Sequence, residues 1–322
     1  MRYFITGIGG FAGTHLAARL LEDGHDVGGL VRERRLYPGL IELAARHPRF
    51  DPDGLACGDV ADADEMMRVI AGARPDGVFH LAGIAFVPRA ESDPGRALVV
   101  NVLGSRHVMA AVHRAAPAGR VVVVGSADVY GAAADTGVPI EESCALRPVS
   151  TYGLSKAAAD MVAFQQWWET GLAVIRARAF NHTGPGQSAD FVCSDFARQV
   201  ARIERGAAPP LLRVGNLQSA RDFSDVRDIV RGYAVLMERG APGEAYNLCT
   251  GETVTIAAIV DCLRAEIGVP FEVVEESARV RRREIPRVVG SAARARALGW
   301  TPIIPLRQTL HDLLNYWRVV DG

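Results

Sequence analysis

The segment RYFITGIGGFAG, residues 2–13, decides the fold. An apolar run with the character of a buried strand leads directly into a glycine-rich turn. Its glycines stand at three spaced positions, Gly7, Gly10 and Gly13. Such glycines allow a tight turn, a close approach of the backbone to a pyrophosphate and close packing of the next helix. That helix is predicted to begin near Phe11, with its free N–H groups facing the phosphates. Strand, turn and helix in this order predict a dinucleotide-binding unit.

Short apolar runs alternate with segments of helical apolar spacing along the first 180 residues. The strand-like runs are YFIT, VFHLA, RVVVVGS and LAVIRAR, and the helix-like segments include FAGTHLAARLLEDG and ADEMMRVIAGARPDG. This alternation is typical of βαβ units and a parallel sheet. The near-continuous Val and Ile runs suit strands that are covered on both faces. We therefore predict an α/β fold with a doubly wound parallel sheet of the Rossmann type.

The loop after the second strand bears on the choice of cofactor. The end of the second strand lacks the Asp or Glu that would bind the ribose hydroxyls of NAD, because GGLVRERR has Val31 there, followed by Arg32, Arg34 and Arg35. Guanidinium groups match a 2′-phosphate, so NADP(H) is predicted, with NAD(H) as the alternative. Arg34 and Arg35 could equally form a solvated loop. Further positions are expected to border the adenine and the pyrophosphate: Asp59, Val60, Leu81, Ala82 and Gly83.

The pattern becomes less regular after about residue 180, with helices predicted at 191–205 and 225–239. We expect a smaller C-terminal lobe that is interleaved with the last strands of the sheet. The predicted division is a cofactor domain over 1–180, with 225–250 returning to the sheet, and a substrate lobe over 181–224 and 251–322.

Composition excludes several classes of protein. The formal net charge is -1, which gives no electrostatic basis for binding nucleic acid or an anionic membrane surface. No apolar run reaches the length of a membrane helix and no secretory signal is recognised, so a cytoplasmic location is expected. The 5 cysteines are scattered without CxxC spacing, and neither a disulfide framework nor a metal site is predicted.

A serine, a tyrosine and a lysine are predicted to meet at the carboxyl edge of the sheet. Ser126 ends the fifth strand in GSADVYG, and Tyr152 and Lys156 in STYGLSK share one helix face through their i, i+4 spacing. A nearby ammonium and an oxidised nicotinamide would favour the phenolate and bring its pKa toward neutrality. The serine hydroxyl could hold a substrate oxygen. The three groups together predict proton transfer at an alcohol or carbonyl oxygen while a hydride moves at the attached carbon.

With these motifs in this order, the chain resembles the extended short-chain dehydrogenase/reductase superfamily over nearly its whole length. The second half is similar to GDP-6-deoxy-4-keto-D-mannose reductases, with GDP-mannose 4,6-dehydratases as relatives. The segments that carry this similarity are RAFNHTGPGQSADFV, RVGNLQSARDFSDVRDIV, AYNLCTGE, REIPRVVGS and LGWTPIIPLRQTL.

The resemblance implies roles for single positions. Ser126, Tyr152 and Lys156 match the catalytic triad, and Asn101 matches the asparagine near the nicotinamide. The implied contacts to the nucleotide sugar in the C-terminal lobe are Asn181, Arg221, Arg281 and Glu284. The run RVRRRE leaves open whether Arg281, Arg282 or Arg283 makes its contact, and an ion pair with Asp222 or Asp225 is the alternative role for Arg221. His182 could act as a second acid or could stabilise its loop.

Asp128 bears on the choice of reaction. Where the related dehydratases carry further polar and acidic groups after the threonine, this chain has Ser126, Ala127 and Asp128. One short carboxylate makes elimination of water less favourable, because elimination needs both a base and an acid. The leading hypothesis is NADPH-dependent reduction of the C4 ketone of GDP-4-keto-6-deoxy-D-mannose to GDP-D-rhamnose or its C4 epimer. The alternatives are a 4,6-dehydratase, a 4-epimerase with internal hydride return, and a nucleotide-sensing protein without turnover.

The resemblance also implies a homodimer. Extended members of this superfamily pair through two helices per subunit, which here would lie near 95–115 and 150–169. In the second helix, Trp167 and Trp168 are candidates for core or interface, and neighbouring residues on a helix cannot both face the same way.

Overall fold

A computed structural model describes residues 1–35, 37–135, 137–276 and 285–321. Its central feature is a seven-stranded sheet in which every neighbouring pair of strands is parallel. The strands of this sheet are β1 (Arg2–Thr6), β2 (Asp26–Val31), β3 (Ala56–Cys57), β4 (Gly77–His80), β5 (Arg120–Val124), β6 (Ala173–Ala179) and β11 (Ala245–Leu248). The predicted doubly wound parallel sheet is confirmed.

The strand order is β11-β6-β5-β4-β1-β2-β3, so the chain winds outward in both directions from the boundary between β1 and β4. Ligands of open α/β sheets bind beyond the carboxyl ends of the strands at such a switch point. The helices that connect or cover these strands are α1 (Phe11–Glu22), α2 (Pro38–Arg46), α3 (Ala63–Ala73), α4 (Val87–Ser92), α5 (Pro94–Leu98), α6 (Gly104–Ala115), α7 (Thr151–Thr170) and α9 (Val226–Arg239). A π turn, Val99–Leu103, joins α5 to α6, and two 3-10 turns, Ala127–Val129 and Gly131–Ala134, follow β5.

Both faces of the sheet are buried, as the Val-rich strands predict. Alternate residues of one strand enter different cores: Ile5 packs with α1 and α9 on one face, and Phe4 packs with α3 and α6 on the other. The same alternation holds for Val122 and its neighbour Val123 in β5. The side-chain period of two therefore builds two cores from one continuous apolar run.

The C-terminal lobe has a third core. It is built by α8 (Val192–Glu204), α10 (Ile256–Arg264) and α12 (Leu306–Val320), which pack with β8 (Leu211–Val214). Helices α8 and α9 lie within one residue of the bounds that the sequence predicts. The remaining elements are β7 (Asn181–Thr183), β9 (Ala220–Arg221), β10 (Phe223–Asp225), β12 (Val254–Thr255), β13 (Glu272–Glu275), β14 (Arg287–Val288) and α11 (Ala293–Ala297).

The two adjacent tryptophans of α7 differ in burial, as helix geometry requires. Trp167 packs against the core between the sheet and α6, whereas Trp168 is 73% exposed. Within the described ranges, no helix combines the length and the apolar character needed to cross a bilayer.

Candidate active site

The glycine turn after β1 has the shape that a pyrophosphate cradle requires. Gly7 has a φ of +75°, in the left-handed region, and a Cβ there would lie 2.9 Å from the Ala82 backbone nitrogen. A Cβ at Gly13 would lie 2.2 Å from the Gly7 carbonyl oxygen. Helix α1 starts at Phe11 behind Gly10, and among the described residues no side chain caps it. Its first N–H groups are available to a phosphate, so this turn fits a dinucleotide cofactor.

The loop after β4 borders the glycine turn. The Leu81 N–H donates to the Thr6 carbonyl oxygen at 3.2 Å, and the Ala82 N–H donates to Thr6 Oγ1 at 3.3 Å. These bonds extend the pairing of β4 with β1 beyond the strand end. Leu81 and Ala82 therefore lie beside the turn, as the sequence predicts, and Gly83 follows them.

The predicted adenosine end of the cofactor site lies where β2 and β3 finish. Arg32 is exposed just after β2, and Asp59 follows β3 beside the buried Val60. The Asp59 carboxylate accepts hydrogen bonds from the Ala61 N–H and from the Arg96 guanidinium. Burial raises the pKa of Asp59, but these two donors and the charge of Arg32 outweigh burial and lower the pKa overall. Sequence reasoning missed Arg96, which is 37 residues away along the chain.

The other two arginines of this loop differ in their surroundings. The Arg35 guanidinium lies 4.8 Å from the centre of the Tyr37 ring. The same ring packs on the glycine turn, because a Cβ at Gly9 would lie 2.6 Å from it. Arg35 is thus held at the rim of the turn, and Arg34 lines the adjoining cleft with it.

Ser126, Tyr152 and Lys156 come together at the carboxyl end of β5. Ser126 caps the first 3-10 turn, and its Oγ accepts a hydrogen bond from the Asp128 N–H at 3.2 Å. Tyr152 and Lys156 lie one turn apart on α7 and are 8% and 9% exposed. The Ser126 hydroxyl hydrogen-bonds the Tyr152 phenol, and Lys156 Nζ donates to the Val124 carbonyl oxygen at 2.9 Å. The arrangement presents a hydroxyl, a phenol and an ammonium to one small region.

Burial governs the pKa values of Tyr152 and Lys156 in this structure. Burial raises the pKa of Tyr152 well above its ordinary value, and the nearby Asp128 carboxylate raises it further. The hydrogen bond with Ser126 opposes these effects only in part. Burial also lowers the pKa of Lys156 to about 8. Desolvation in this structure disfavours both the phenolate and the ammonium. The lowering of the Tyr152 pKa by Lys156 together with an oxidised nicotinamide stays a prediction. Tyr152 is a protonated phenol at neutral pH.

Asn101 lies in the π turn before α6, and its side chain is fixed on three sides. Asn101 Oδ1 accepts from the Ile84 N–H at 2.8 Å, and Nδ2 donates to the Ile84 carbonyl oxygen at 3.1 Å and to Ser155 Oγ at 2.8 Å. A Cβ at Gly83 would lie 2.8 Å from Asn101 Oδ1 and 3.5 Å from Lys156 Nζ. The amide and the ammonium therefore line the same space, where the sequence places the nicotinamide end of the cofactor.

The predicted substrate loop begins at β7. Asn181 is exposed, and His182 Nδ1 lies 2.9 Å from the Phe180 carbonyl oxygen. The His182 ring also stacks on Phe11, with 6.2 Å between ring centres. These contacts place His182 in the loop-stabilising role. Two further predicted substrate contacts lie outside the described residues: Arg281 and Glu284.

Arg221 lies on β9 at the edge of the C-terminal lobe. Its Nη1 donates to the carbonyl oxygens of Ala220 at 2.9 Å and Pro286 at 3.3 Å. The neighbouring Asp222 is fully buried, and its carboxylate accepts hydrogen bonds from Thr250 N–H at 2.8 Å and Thr250 Oγ1 at 2.6 Å. Asp222 therefore ties β9 to the segment after β11, and Arg221 stands at the lobe surface that the sequence assigns to the substrate.

A buried polar network that sequence reasoning missed supports the site from below. Arg178 of β6 donates to both carboxylate oxygens of Asp160 on α7, each at 2.9 Å, and to the Tyr130 hydroxyl at 3.0 Å. Tyr130 in turn donates to Asn247 Oδ1 at 2.7 Å, and Arg176 also pairs with Asp160 at 2.6 Å. The network joins the helix that carries the phenol to the turn that carries the serine.

Comparison with known proteins agrees with this geometry. The family model described as GDP-mannose 4,6 dehydratase matches residues 4–313. The chain is 36% identical to a GDP-6-deoxy-D-mannose reductase of Pseudomonas aeruginosa, over 98% of this chain and 97% of the relative. It is 26% identical to a GDP-mannose 4,6-dehydratase of Sinorhizobium fredii, over 98% and 97% of the two chains. A solved structure of RMD from Pseudomonas aeruginosa complexed with NADPH superposes with a TM-score of 0.84 at 34% identity, over 98% of each chain.

Proposed function

Since the chain belongs to the GDP-mannose 4,6-dehydratase family, we propose that it is the reductase of this family that uses NADPH on GDP-4-keto-6-deoxy-D-mannose. The product is a GDP-6-deoxyhexose, either GDP-D-rhamnose or its C4 epimer. Near full-length identity to a GDP-6-deoxy-D-mannose reductase exceeds the identity to the Sinorhizobium fredii dehydratase by 10 percentage points, 36% against 26%. The likeness to an NADPH complex supports the cofactor.

One observation carries the proposal: the 36% identity to a GDP-6-deoxy-D-mannose reductase over 98% of this chain. The site agrees with it, because the catalytic phenol is buried and its pKa is raised. A reductase needs a proton donor at the ketone oxygen, whereas a dehydratase or an epimerase must first remove a proton from the C4 hydroxyl. Burial and the Asp128 carboxylate both hold Tyr152 in the acid form. Ala127, in the middle of the turn, supplies no second polar group for elimination.

Each residue then has a defined part. Bound NADPH supplies the hydride that reduces the C4 carbon. The Ser126 hydroxyl donates a hydrogen bond to the C4 oxygen, and Tyr152 delivers its phenolic proton to that oxygen as negative charge develops on it. The phenolate left on Tyr152 is stabilised by the Lys156 ammonium one helical turn away. Asn101 holds Ser155 and the loop after β4, and so keeps Lys156 in place.

The cofactor residues follow from the same geometry. We place the pyrophosphate on the turn of Gly7 and Gly13, and the 2′-phosphate beside Arg32 with Arg35 at the rim. Asp59 would accept from the adenine amino group in exchange for one of its present donors. We place the binding site of the GDP moiety in the lobe around Asn181 and β9. With this placement the chain has a cofactor domain and a substrate lobe, the division that the sequence predicts. The cytoplasmic location stays a prediction.

The test is to mix the purified protein with GDP-4-keto-6-deoxy-D-mannose and NADPH, and to follow NADPH oxidation and sugar product together. We expect one NADPH to be consumed for each sugar reduced. Tyr152→Phe should bind NADPH normally and lose about 10²- to 10⁴-fold in turnover. Tyr316→Phe, in α12 of the C-terminal lobe, is the matched control and should keep turnover. Full turnover by Tyr152→Phe would refute the assigned role.

A 4,6-dehydratase is the second candidate, because Asp128 does place one carboxylate beside the phenol. Incubation with GDP-mannose and no added reductant separates the two reactions. Loss of water from GDP-mannose, with no oxidation of NADPH by the keto sugar, would replace the reductase by the dehydratase.

We also propose a homodimer through α6 and α7. Large apolar side chains are exposed on α7, at the end of α5 and in the π turn that leads into α6: Leu98, Leu103, Leu154, Met161, Phe164 and Trp168. Such a stripe on neighbouring helices matches the four-helix pairing that the sequence implies. Light scattering after size exclusion should give twice the chain mass, and Trp168→Arg should shift the mass toward the monomer. A monomeric wild-type protein at micromolar concentration would overturn this proposal.

A further inference from the structure

A histidine that the proposed chemistry does not use lies fully enclosed at the end of β4. His80 is 2% exposed and contacts a hydroxyl on each side. Its Nδ1 lies 2.8 Å from Thr6 Oγ1, and its Nε2 lies 3.0 Å from Ser105 Oγ. Thr6 precedes the glycine turn, and Ser105 lies just after the π turn that carries Asn101. His80 therefore bridges two parts of the candidate active site.

The partners fix where the imidazole proton resides. The Ser105 hydroxyl donates to the Asn101 carbonyl oxygen at 2.6 Å, so toward His80 its oxygen can only accept. His80 Nε2 must then carry the hydrogen, and the bare Nδ1 accepts from the Thr6 hydroxyl. The Thr6 oxygen, having given its hydrogen to His80, accepts from the Ala82 N–H at 3.3 Å. Every donor in this series of hydrogen bonds has one acceptor, and the direction of each bond is determined.

The imidazole is neutral in this arrangement. Burial lowers the pKa of His80 to about 3, with a smaller contribution from the charge of Lys156. A protonated His80 would have hydrogen on both nitrogens and could not accept from Thr6. The neutral form is thus the one that satisfies both neighbours at any physiological pH.

The two ends of this series of hydrogen bonds reach different parts of the candidate active site. At one end, the Ala82 N–H lies against the glycine turn, where a Cβ on Gly7 would be 2.9 Å from the Ala82 nitrogen. At the other end, the Asn101 carbonyl belongs to a π turn, in which the Gly104 N–H reaches back five residues to Val99. A π turn disturbs the regular helical bonding, so an added donor such as Ser105 helps to set its geometry.

We propose that His80 is a positioning residue that couples the cofactor turn to the catalytic helix through the hydroxyls of Thr6 and Ser105. On the first side it sets the loop that approaches the cofactor pyrophosphate. On the second side it fixes Asn101, which holds Ser155 and through it the helix register of Lys156. The inference rests on the proposed reductase function, because its turnover assay uses that reaction. NADPH binding tests the Thr6 side of the coupling independently of the reaction.

Three substitutions separate the two sides. Thr6→Val removes only the first hydroxyl and keeps the side-chain shape. Ser105→Ala removes only the second hydroxyl. His80→Asn keeps an oxygen near the Nδ1 position, where it can accept from Thr6, and has no donor that reaches Ser105. The folded state of each variant is checked by circular dichroism and its thermal midpoint, since each also loses a buried hydrogen bond.

The readouts are the NADPH dissociation constant, from cofactor fluorescence, and kcat at saturating NADPH. Thr6→Val should weaken NADPH binding about tenfold and keep kcat within about twofold. Ser105→Ala and His80→Asn should each lower kcat about 10- to 100-fold, the size of effect that a small misplacement of catalytic groups produces, and keep NADPH binding. The double variant His80→Asn with Ser105→Ala should be no slower than the slower single variant, because both break the same link.

Two results would overturn the proposal. One is a drop in thermal midpoint in all three variants with unchanged kcat and NADPH binding, which is the pattern of a purely structural histidine. The other is a strict product of the two single effects in the double variant, which would show that His80 and Ser105 act separately. If the wild-type protein binds NADPH but reduces no keto sugar, the proposed reductase function is refuted and the His80 proposal is not. Normal NADPH binding by Thr6→Val would contradict the His80 proposal, whatever the reaction of the enzyme.

Discussion

Lys156 should titrate near pH 8, and it can be observed without interference because it is the only lysine in the chain. Lys156 is 9% exposed, and its ammonium donates to the Val124 carbonyl oxygen. Burial lowers its pKa from an ordinary 10.5 to about 8. At about 1.4 kcal/mol for each pH unit, the charged form costs roughly 3 kcal/mol of folding free energy.

This cost has a definite pH dependence. Below pH 8 the lysine is protonated in both the folded and the unfolded chain, so the whole penalty is present. Between pH 8 and 10.5 the unfolded chain binds the proton and the folded chain does not, so stability rises with pH across this window. Lys156→Met should therefore be about 3 kcal/mol more stable than wild type at pH 7 and lose most of this advantage by pH 10.5. Lys156→Arg stays charged and should show no such gain in stability with rising pH.

Two measurements check this. Biosynthetic labelling with lysine carrying ¹³C at Cε gives a single side-chain signal, whose chemical shift against pH reports the pKa of Lys156 directly. Urea unfolding of wild type, Lys156→Met and Lys156→Arg at pH 7 to 10 reports the free energies. A titration midpoint near 10.5, or a difference between wild type and Lys156→Met that does not change with pH, would refute the assignment of burial as the dominant effect.

Three further perturbations test other parts of the structure. Gly13→Ala puts a methyl group 2.2 Å from the Gly7 carbonyl oxygen, so the turn must shift: NADPH binding should fall at least about 100-fold in a fluorescence titration, and the free energy of unfolding should fall by about 1–3 kcal/mol. Arg178→Met leaves the buried Asp160 carboxylate short of its bidentate partner and should lower the free energy of unfolding by roughly 3 kcal/mol in urea; a loss under about 1 kcal/mol would contradict the network's importance. Arg32→Ser should raise the KM for NADPH about tenfold and leave the KM for NADH unchanged, and equal changes in both would remove Arg32 from the 2′-phosphate site.

The parts of the site that sequence predicts well are those that local chemistry specifies. A glycine triplet after an apolar run, and a tyrosine and lysine four residues apart, carry their geometry in their own spacing. The parallel sheet follows from strands that are apolar on both faces, as Phe4 and Ile5 illustrate by entering opposite cores. Each of these signals spans at most a dozen residues.

The parts that sequence does not predict depend on contacts between distant segments. His80 and Thr6 are 74 residues apart along the chain, and Tyr130 and Asn247 are 117 apart. Nothing local to Arg178 indicates that its partner is a carboxylate on the catalytic helix. Burial, which raises the pKa of Tyr152, is likewise a property of the assembled fold and cannot be read from the spacing to Lys156.

The interleaved connection of the sheet has a consequence for the order in which the protein can fold during synthesis. The core on the α1 face is closed by Tyr233 of α9, by Leu248 of the edge strand β11 and by Trp300, all of which are made late. A nascent chain that has emerged only to residue 180 lacks these three side chains and presents an apolar sheet face to water. Its cofactor-binding half must therefore wait for nearly the whole chain, or for a chaperone to cover that face, before it reaches native stability.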